Sequence, residues 1–175
     1  MSFLVLAYPT LNPSDQEWLL SYRKIHDSDY FDVVTAHFSF VFPVRDFEKV
    51  DFIKEIEKQA AAAEMIAFEI HKAIVHQDEF DGSFHQFLIP DDNATNKITA
   101  LHDRLYADKL KSNHRLDIPY IPHVAVGSST DPEITKAAVE RLNEIPLNIH
   151  GTIESLHVVE YAHKMVNEIL EIRLK

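Results

Sequence analysis

The order in which strand-like and helix-like patterns alternate along the chain is the strongest constraint on its fold, because this order occurs twice. A strand pattern that contains a histidine precedes a helical pattern, and two further strand patterns follow. The order begins at His37 and again at His123, 86 residues later in a chain of 175 residues. Little sequence identity joins the two halves, so the repetition predicts a structural echo between them.

Periodicity and turn signals give the bounds of the predicted elements. Strands are predicted over residues 3–7, 35–42, 67–75, 83–89, 123–127, 147–153, 155–161 and 167–174. Helices are predicted over about 16–26, 46–64, the segment that begins at Asn93 or Thr95, and 131–143. Ser14 is the predicted cap of the first helix, and Asp131 with Pro132 starts the last one. A hairpin-like turn is predicted at Asp81 and Gly82.

Length and composition narrow the class of protein. The whole chain, 1–175, suits one domain, and its net charge of −11 repels a phosphate backbone at long range. This argues against an extended nucleic-acid footprint but leaves room for a small or terminal phosphate in a local pocket. Three glycines leave no glycine-rich phosphate loop, and without cysteine there is no thiol nucleophile. No signal-peptide pattern or membrane-length apolar run is present, so the expected location is the cytoplasm, without a membrane partner.

Two histidines occupy equivalent positions in their predicted strands. Side chains alternate between the faces of a strand, so His37 and Ser39 share one face while the neighbouring phenylalanines share the other. In the later strand, His123 and Ala125 lie opposite the apolar face. If the two strands are neighbours across a pseudo-twofold axis, the two imidazoles converge.

Two converging imidazoles suit phosphodiester chemistry. Imidazole titrates near neutrality, so one ring can take a proton from the attacking water or hydroxyl while the other gives a proton to the leaving oxygen. A hydroxyl two residues after the histidine lies on the same face, within reach of a phosphoryl oxygen. Ser39 has this position in the first strand.

The segments HFSF at 37–40 and HVAV at 123–126 resemble the paired His-x-Ser/Thr-apolar motifs of the two-histidine (2H) phosphoesterases. This superfamily includes the 2′-5′ RNA ligase-like proteins and the cyclic phosphodiesterases. FLIP at 87–90, LHDRL at 101–105 and IPHVAVG at 121–127 look like its second-half pattern, so the resemblance covers nearly the whole chain.

The resemblance implies a bilobal α+β fold of two antiparallel-sheet half-domains, with helices outside and a central cleft. It implies action, without metal or cofactor, on 2′,3′-cyclic phosphates or 2′-5′ linkages at the ends of RNA or in nucleotides. By motif position, His37 and His123 are expected to be catalytic and Ser39 to bind phosphate. The resemblance does not fix which histidine is the acid, and the sequence does not indicate the oligomeric state.

Ala125 departs from the family pattern, which has Thr or Ser at this position. One phosphate contact is therefore missing, and a hydrogen bond to a charged group is worth roughly 1.5–3 kcal/mol. Ser128 and Ser129 are poorly placed in the predicted strand to replace it. The first alternative is therefore a binding module of the same fold that holds a nucleotide or RNA end without turnover.

The second alternative is a metal-dependent hydrolase built on other histidines. His71, His76 and His85 lie on the predicted hairpin, but their spacing matches no dedicated metal site, and a solvated hairpin face is favoured. Two interpretations of Tyr120 stay open, since its ring could stack on a base or anchor the core. The loop with His114 is interpreted as solvated, and Phe87 as packing.

Overall fold

The computed structural model describes residues 1–78 and 82–175. Its strands are β1 (Ser2–Ala7), β2 (Thr10–Leu11), β3 (Phe38–Val44), β4 (Ile66–Gln77), β5 (Phe84–Pro90), β6 (Val124–Ser129), β7 (Ile149–Ile153), β8 (Ser155–Ala162) and β9 (Met165–Arg173). Its helices are α1 (Pro13–His26), α2 (Lys49–Ala60), α3 (Asp92–Leu105) and α4 (Pro132–Glu144), with a 3-10 helix at Asp108–Asn113.

The strands form two antiparallel sheets, which confirms the predicted α+β class. The first sheet has the order β3-β1-β8-β9, and the second has the order β2-β7-β4-β5-β6. Each sheet contains strands from both halves of the sequence. The hairpin β4–β5 that follows the His37 segment belongs to the second sheet, beside β6, and the hairpin β8–β9 that follows the His123 segment belongs to the first. The order of elements after His37 therefore does repeat after His123. Each half of the sequence, however, contributes a hairpin to the sheet that contains the other half's histidine segment.

Helices cover the sheets and close the core. α4 packs on β4, β5 and β6, while α3 packs on β3, β4 and β5 and contacts α2. Alternating apolar side chains explain this packing, because they give each strand a buried face. Phe38 and Phe40 of β3 are fully buried, as are Phe52 and Ile56 of α2.

Helix ends follow the local capping chemistry. The predicted start of α4 is confirmed, since the Asp131 carboxylate accepts a hydrogen bond from the Glu133 amide and Pro132 is the first helical residue. The predicted cap Ser14 is wrong, because Asn12 caps α1 by accepting from the Asp15 amide. Pro13 then takes the first helical position, where its missing N–H has no cost.

The strand that follows His37 begins later than predicted. His37 lies immediately before β3, and Pro43 lies inside the strand rather than at its end. Pro43 is tolerated because β3 is at the edge of its sheet. The predicted alternation holds for Phe38, Ser39 and Phe40, but Val41 is fully buried. The register of β3 against β1 shifts along this pair, which changes the face that later side chains take.

The remaining predictions concern short elements, the hairpin turn and the location of the protein. The strand β2 and the 3-10 helix carry too little periodicity to be predicted. Of the predicted turn, Gly82 has the positive φ of 74° that favours glycine, and Asp81 lies outside the described residues. Within the described ranges, no helix is long and apolar enough to cross a bilayer. The cytoplasmic location and the single domain of two pseudo-symmetric lobes stay predictions.

Candidate active site

His37 and His123 stand at equivalent places in the two sheets. His37 immediately precedes β3 and His123 immediately precedes β6, and in the described topology both strands are at sheet edges. The Nδ1 of His37 is 2.7 Å from the Thr35 carbonyl oxygen, and the Nδ1 of His123 is 2.6 Å from the Ile121 carbonyl oxygen. A carbonyl can only accept, so both Nδ1 atoms carry the proton and both Nε2 atoms keep a free lone pair.

Burial controls the protonation of both rings. The pKa of His123 is lowered to about 3, chiefly by desolvation, with smaller contributions from charges on His37, His76 and His85, while the Ile121 carbonyl opposes the shift. Desolvation also lowers the pKa of His37, and the Thr35 carbonyl opposes this effect. At neutral pH both rings are therefore favoured in the uncharged form.

The surroundings of His37 are polar. Ser39, two residues along β3, is half-buried, and its hydroxyl makes no hydrogen bond to another side chain or backbone group of the described residues. The ring of Tyr8 lies 6.4 Å from that of His37 and 4.7 Å from that of His157. The buried ion pair of Arg23 and Asp27 also acts on His37, with opposite effects on its pKa.

The surroundings of His123 are more apolar. Phe87 stacks on the His123 ring, with the ring centroids 3.5 Å apart and an interplanar angle of 11°. Phe87 is also the register partner of Ala125, the residue that replaces a hydroxyl of the family pattern. His76 and His85 are partners in the β4–β5 register, and both rings stack on Phe87, with centroids 4.8 Å and 5.8 Å from that of Phe87. The ring of Phe87 thus shields His123 from water.

A group of side chains bridges the two histidine segments. Tyr120 lies three residues before His123, and its hydroxyl donates a hydrogen bond of 2.8 Å to the Ser39 carbonyl. His102 Nδ1 lies 2.9 Å from the Phe40 carbonyl oxygen, and the Phe42 amide donates to the Tyr106 hydroxyl at 2.7 Å. These three side chains satisfy backbone groups of the edge strand β3, which no further strand pairs.

Tyr120, Ser128 and Ser129 all have hydrogen-bond partners within the protein. Tyr120 stacks on His102 at 3.6 Å with its hydroxyl already engaged, so its contacts favour the anchoring role over base stacking. Ser128 donates to Asp29 and Ser129 accepts from the Asp131 amide, so both of these hydroxyls have other partners.

The three hairpin histidines do not come together. His71 is exposed and bonds to Glu69 and the Leu147 carbonyl, away from His76 and His85. The interpretation of His76 and His85 as a solvated face is wrong, because both are half-buried beside Phe87 and act on His123. Sequence reasoning missed their contacts with Phe87 and the stacking of Phe87 on His123, although the alternation along β5 does place His85 and Phe87 on one face.

Solved structures with the same fold align over nearly the whole chain. The protein TT0787 of Thermus thermophilus has a TM-score of 0.63 at 13% identity, covering 99% of this chain and 98% of that one. Apo LigT of E. coli has a TM-score of 0.59 at 12% identity, covering 99% and 96%. Usb1 of Kluyveromyces marxianus has a TM-score of 0.61 at 10% identity, covering 99% and 98%.

The family itself follows from the sequence match. The model of the 2′-5′ RNA ligase superfamily matches residues 11–164. The chain therefore belongs to the 2′-5′ RNA ligase superfamily, as the paired motifs predicted. No curated protein matches the sequence significantly.

Proposed function

We propose that the protein is a metal-independent phosphoesterase that acts on 2′,3′-cyclic phosphates or 2′-5′ linkages at RNA ends or in nucleotides. The observation that carries the proposal is the matched anchoring of His37 and His123. Each Nδ1 donates to the carbonyl two residues earlier, which leaves each Nε2 available for proton transfer. A charge on His37 also lowers the pKa of His123.

The two histidines take different roles in this proposal. His123 is the general base, because burial, the stacked Phe87 ring and the charges of neighbouring histidines keep it unprotonated. Its Nε2 takes a proton from water as the water oxygen attacks phosphorus. His37 is the general acid, and its Nε2 proton passes to the 2′ or 3′ oxygen as that P–O bond breaks. Each transfer contributes about 10²–10⁴-fold to the rate.

The substrate provides the charge that the cleft residues lack. A cyclic phosphodiester is an anion, and an anion beside an imidazole raises the pKa of that imidazole. This favours the protonated form of His37, next to the Ser39 hydroxyl, which donates to a phosphoryl oxygen. Small nucleotide ligands accord with this scheme, since LigT has been solved with 3′-AMP and Usb1 with uridine monophosphate.

The test compares His37→Ala and His123→Ala with wild type on a panel of 2′,3′-cyclic nucleotides and 2′-5′ dinucleotides, scored by the phosphate position in the product. Each variant is expected to lose at least about 100-fold in kcat/KM, since each removes one proton transfer. His150→Ala, an exposed histidine on β7, is the matched control and should keep wild-type rates. Wild-type rates in both cleft variants, with folding verified by circular dichroism, would contradict the proposal.

Ala125 favours one alternative, a module that binds a nucleotide or RNA end without turnover. Ala125 has no hydroxyl at the position where the family pattern has Thr or Ser, and its register partner is the aromatic Phe87. Calorimetry with mononucleotides separates the two functions. Binding without product on any member of the panel supports the module, and turnover excludes it. Turnover that persists after chelation likewise excludes a metal-dependent mechanism.

A further inference from the structure

A cluster of histidine and carboxylate side chains that includes neither His37 nor His123 lies where α3 ends and the chain leaves the 3-10 helix. His102 and Asp103 are in the last turns of α3, and His114 directly follows the 3-10 helix. One ligand atom from each of the three residues lies within 4.8 Å of the other two. His114 Nε2 and Asp103 Oδ1 are 3.6 Å apart. We propose that His102, Asp103 and His114 bind a late first-row divalent cation of the Zn²⁺ type.

His102 is oriented as a metal ligand. It is buried, and its Nδ1 donates to the Phe40 carbonyl oxygen at 2.9 Å, so Nε2 is the nitrogen with the free lone pair. Its ring is held parallel to that of Tyr120, with the centroids 3.6 Å apart. Histidines that bind metal almost always donate their other N–H to a carbonyl or carboxylate in this way, which fixes the tautomer and the ring orientation.

His114 is held by the equivalent means. Its ring stacks on Tyr106 with centroids 4.7 Å apart and an interplanar angle of 8°. The tyrosine is fixed in turn, since its hydroxyl accepts from the Phe42 amide. The two imidazoles, each stacked on a tyrosine ring, therefore meet edge to face, with ring centroids 5.2 Å apart and an interplanar angle of 72°. This fixes the rings before any metal binds, which reduces the entropy that binding costs.

The donor set determines the class of ion. Two imidazole nitrogens and one carboxylate oxygen suit Zn²⁺ and its neighbours, whereas Mg²⁺ and Ca²⁺ prefer oxygen ligands. The charged groups that act on His102 are His114 and Asp103 themselves. Three protein ligands leave a fourth position for water or for a group from outside.

Binding would have a structural consequence that does not depend on the proposed phosphoesterase activity. The cation would tie the loop at His114 to the end of α3. Through His102 it would tie both to the Phe40 carbonyl of the edge strand β3. Since anything that binds the folded state alone raises its stability by mass action, the midpoint of thermal unfolding should rise with Zn²⁺ concentration.

The chain offers a matched control in another group of histidine and carboxylate side chains. His71 and His150 both approach Glu69, but all three are exposed, at 51%, 53% and 52% of side-chain area. His71 uses both ring nitrogens, one toward Glu69 and one toward the Leu147 carbonyl. Loss of His71 therefore tests weak surface binding without touching the proposed site.

The experiment titrates the full chain with Zn²⁺ by calorimetry and with Co²⁺ by visible absorption, at about pH 7.5, where imidazole is largely neutral. Wild type and His71→Ala should bind one tight equivalent, give tetrahedral Co²⁺ bands and unfold at a higher temperature with Zn²⁺. Asp103→Asn and His114→Ala should lose that equivalent, with Zn²⁺ affinity lower by about 100-fold or more. Loss of an outer-shell partner alone costs about 10–100-fold, and these variants remove a direct ligand. His102 is buried and is left intact so that the fold is preserved.

Two outcomes would overturn the proposal. Either wild type shows no tight equivalent, which leaves Asp103 and His114 as an ordinary ion pair, or the equivalent survives in both Asp103→Asn and His114→Ala. If His114→Ala fails to fold, Asp103→Asn decides alone, since its side chain is 59% exposed and its amide preserves the shape. Zinc that raises the unfolding midpoint of Asp103→Asn as much as that of wild type would also contradict the site.

Discussion

The two histidine segments share a backbone geometry and differ in the side chains around it. Both histidines precede an edge strand, and both anchor Nδ1 on the carbonyl two residues earlier. The second residue after the histidine is Ser39 in one segment and Ala125 in the other. The acceptor of each histidine hydrogen bond is a main-chain carbonyl. The two segments can therefore keep this hydrogen bond while their neighbouring side chains differ.

The difference at the His123 segment involves more than one lost hydroxyl. Ala125 is small and opposes Phe87 across the β5–β6 register, and the Phe87 ring covers His123. His123 thus lies against an apolar surface, which disfavours its imidazolium form. We infer that this asymmetry assigns the base role to His123 and the acid and phosphate-binding roles to the His37 segment.

Among the variants that test this asymmetry, the one that removes the Ser39 hydroxyl should have the largest effect on kcat/KM. Ser39→Ala is expected to lower kcat/KM by about 10- to 100-fold, because a hydrogen bond to a charged group contributes roughly 1.5–3 kcal/mol. Steady-state kinetics on the best cyclic substrate measures it. Ser128→Ala is the control, since that strand serine already bonds to Asp29. An equal loss in both variants would show that Ser39 has no special contact with phosphate.

Uncovering the base should change the pH dependence. A base must be unprotonated, so kcat/KM falls below its pKa, and for wild type that pKa is about 3. Phe87→Leu lets water reach His123, raises its pKa toward the ordinary value, and should move the acid limb upward by about one pH unit or more. The alkaline limb of kcat/KM reports the acid His37 in the free enzyme. Because burial lowers the pKa of His37 from its ordinary value of 6.5, wild-type kcat/KM should already fall as the pH rises toward neutrality.

Phe84→Leu, on the same strand, controls for the loss of an aromatic ring in the pH experiment. It should keep the wild-type acid limb, because the ring that stacks on His123 is that of Phe87. An unchanged limb in Phe87→Leu would refute shielding by this ring. A shift of the alkaline limb alone would exchange the roles of the two histidines.

Restoring the second hydroxyl should have the smallest effect. Ala125→Thr supplies the donor of the family pattern, but its added atoms face the Phe87 ring, and overpacking offsets part of the gain. We expect kcat/KM to rise by less than about tenfold, below the loss from Ser39→Ala. Combining it with Phe87→Leu measures the coupling between the two positions. A gain as large as the Ser39→Ala loss would mean that the two segments bind phosphate equally.

Sequence reasoning predicted the elements and the paired motifs because both rest on local patterns. Alternation along 38–40 and around Val124 and Val126 identified the buried faces, and Asp131 with Pro132 identified a helix start. The stacking of Phe87 on His123 was missed, because a phenylalanine in a strand gives the same pattern whether it packs on the core or on a catalytic candidate. The His102 group was missed for a similar reason, since its members come from a helix and a loop.

The sequence by itself determined the element order, the apolar faces and the family, because these depend on periodicity and short motifs. Only the tertiary structure decided that each half completes the sheet of the other, which residues surround each imidazole, and that Tyr120 binds the Ser39 carbonyl. These depend on contacts between residues far apart in the chain. Such contacts are set by which packing buries the most apolar surface while satisfying the backbone, and no local pattern encodes that choice.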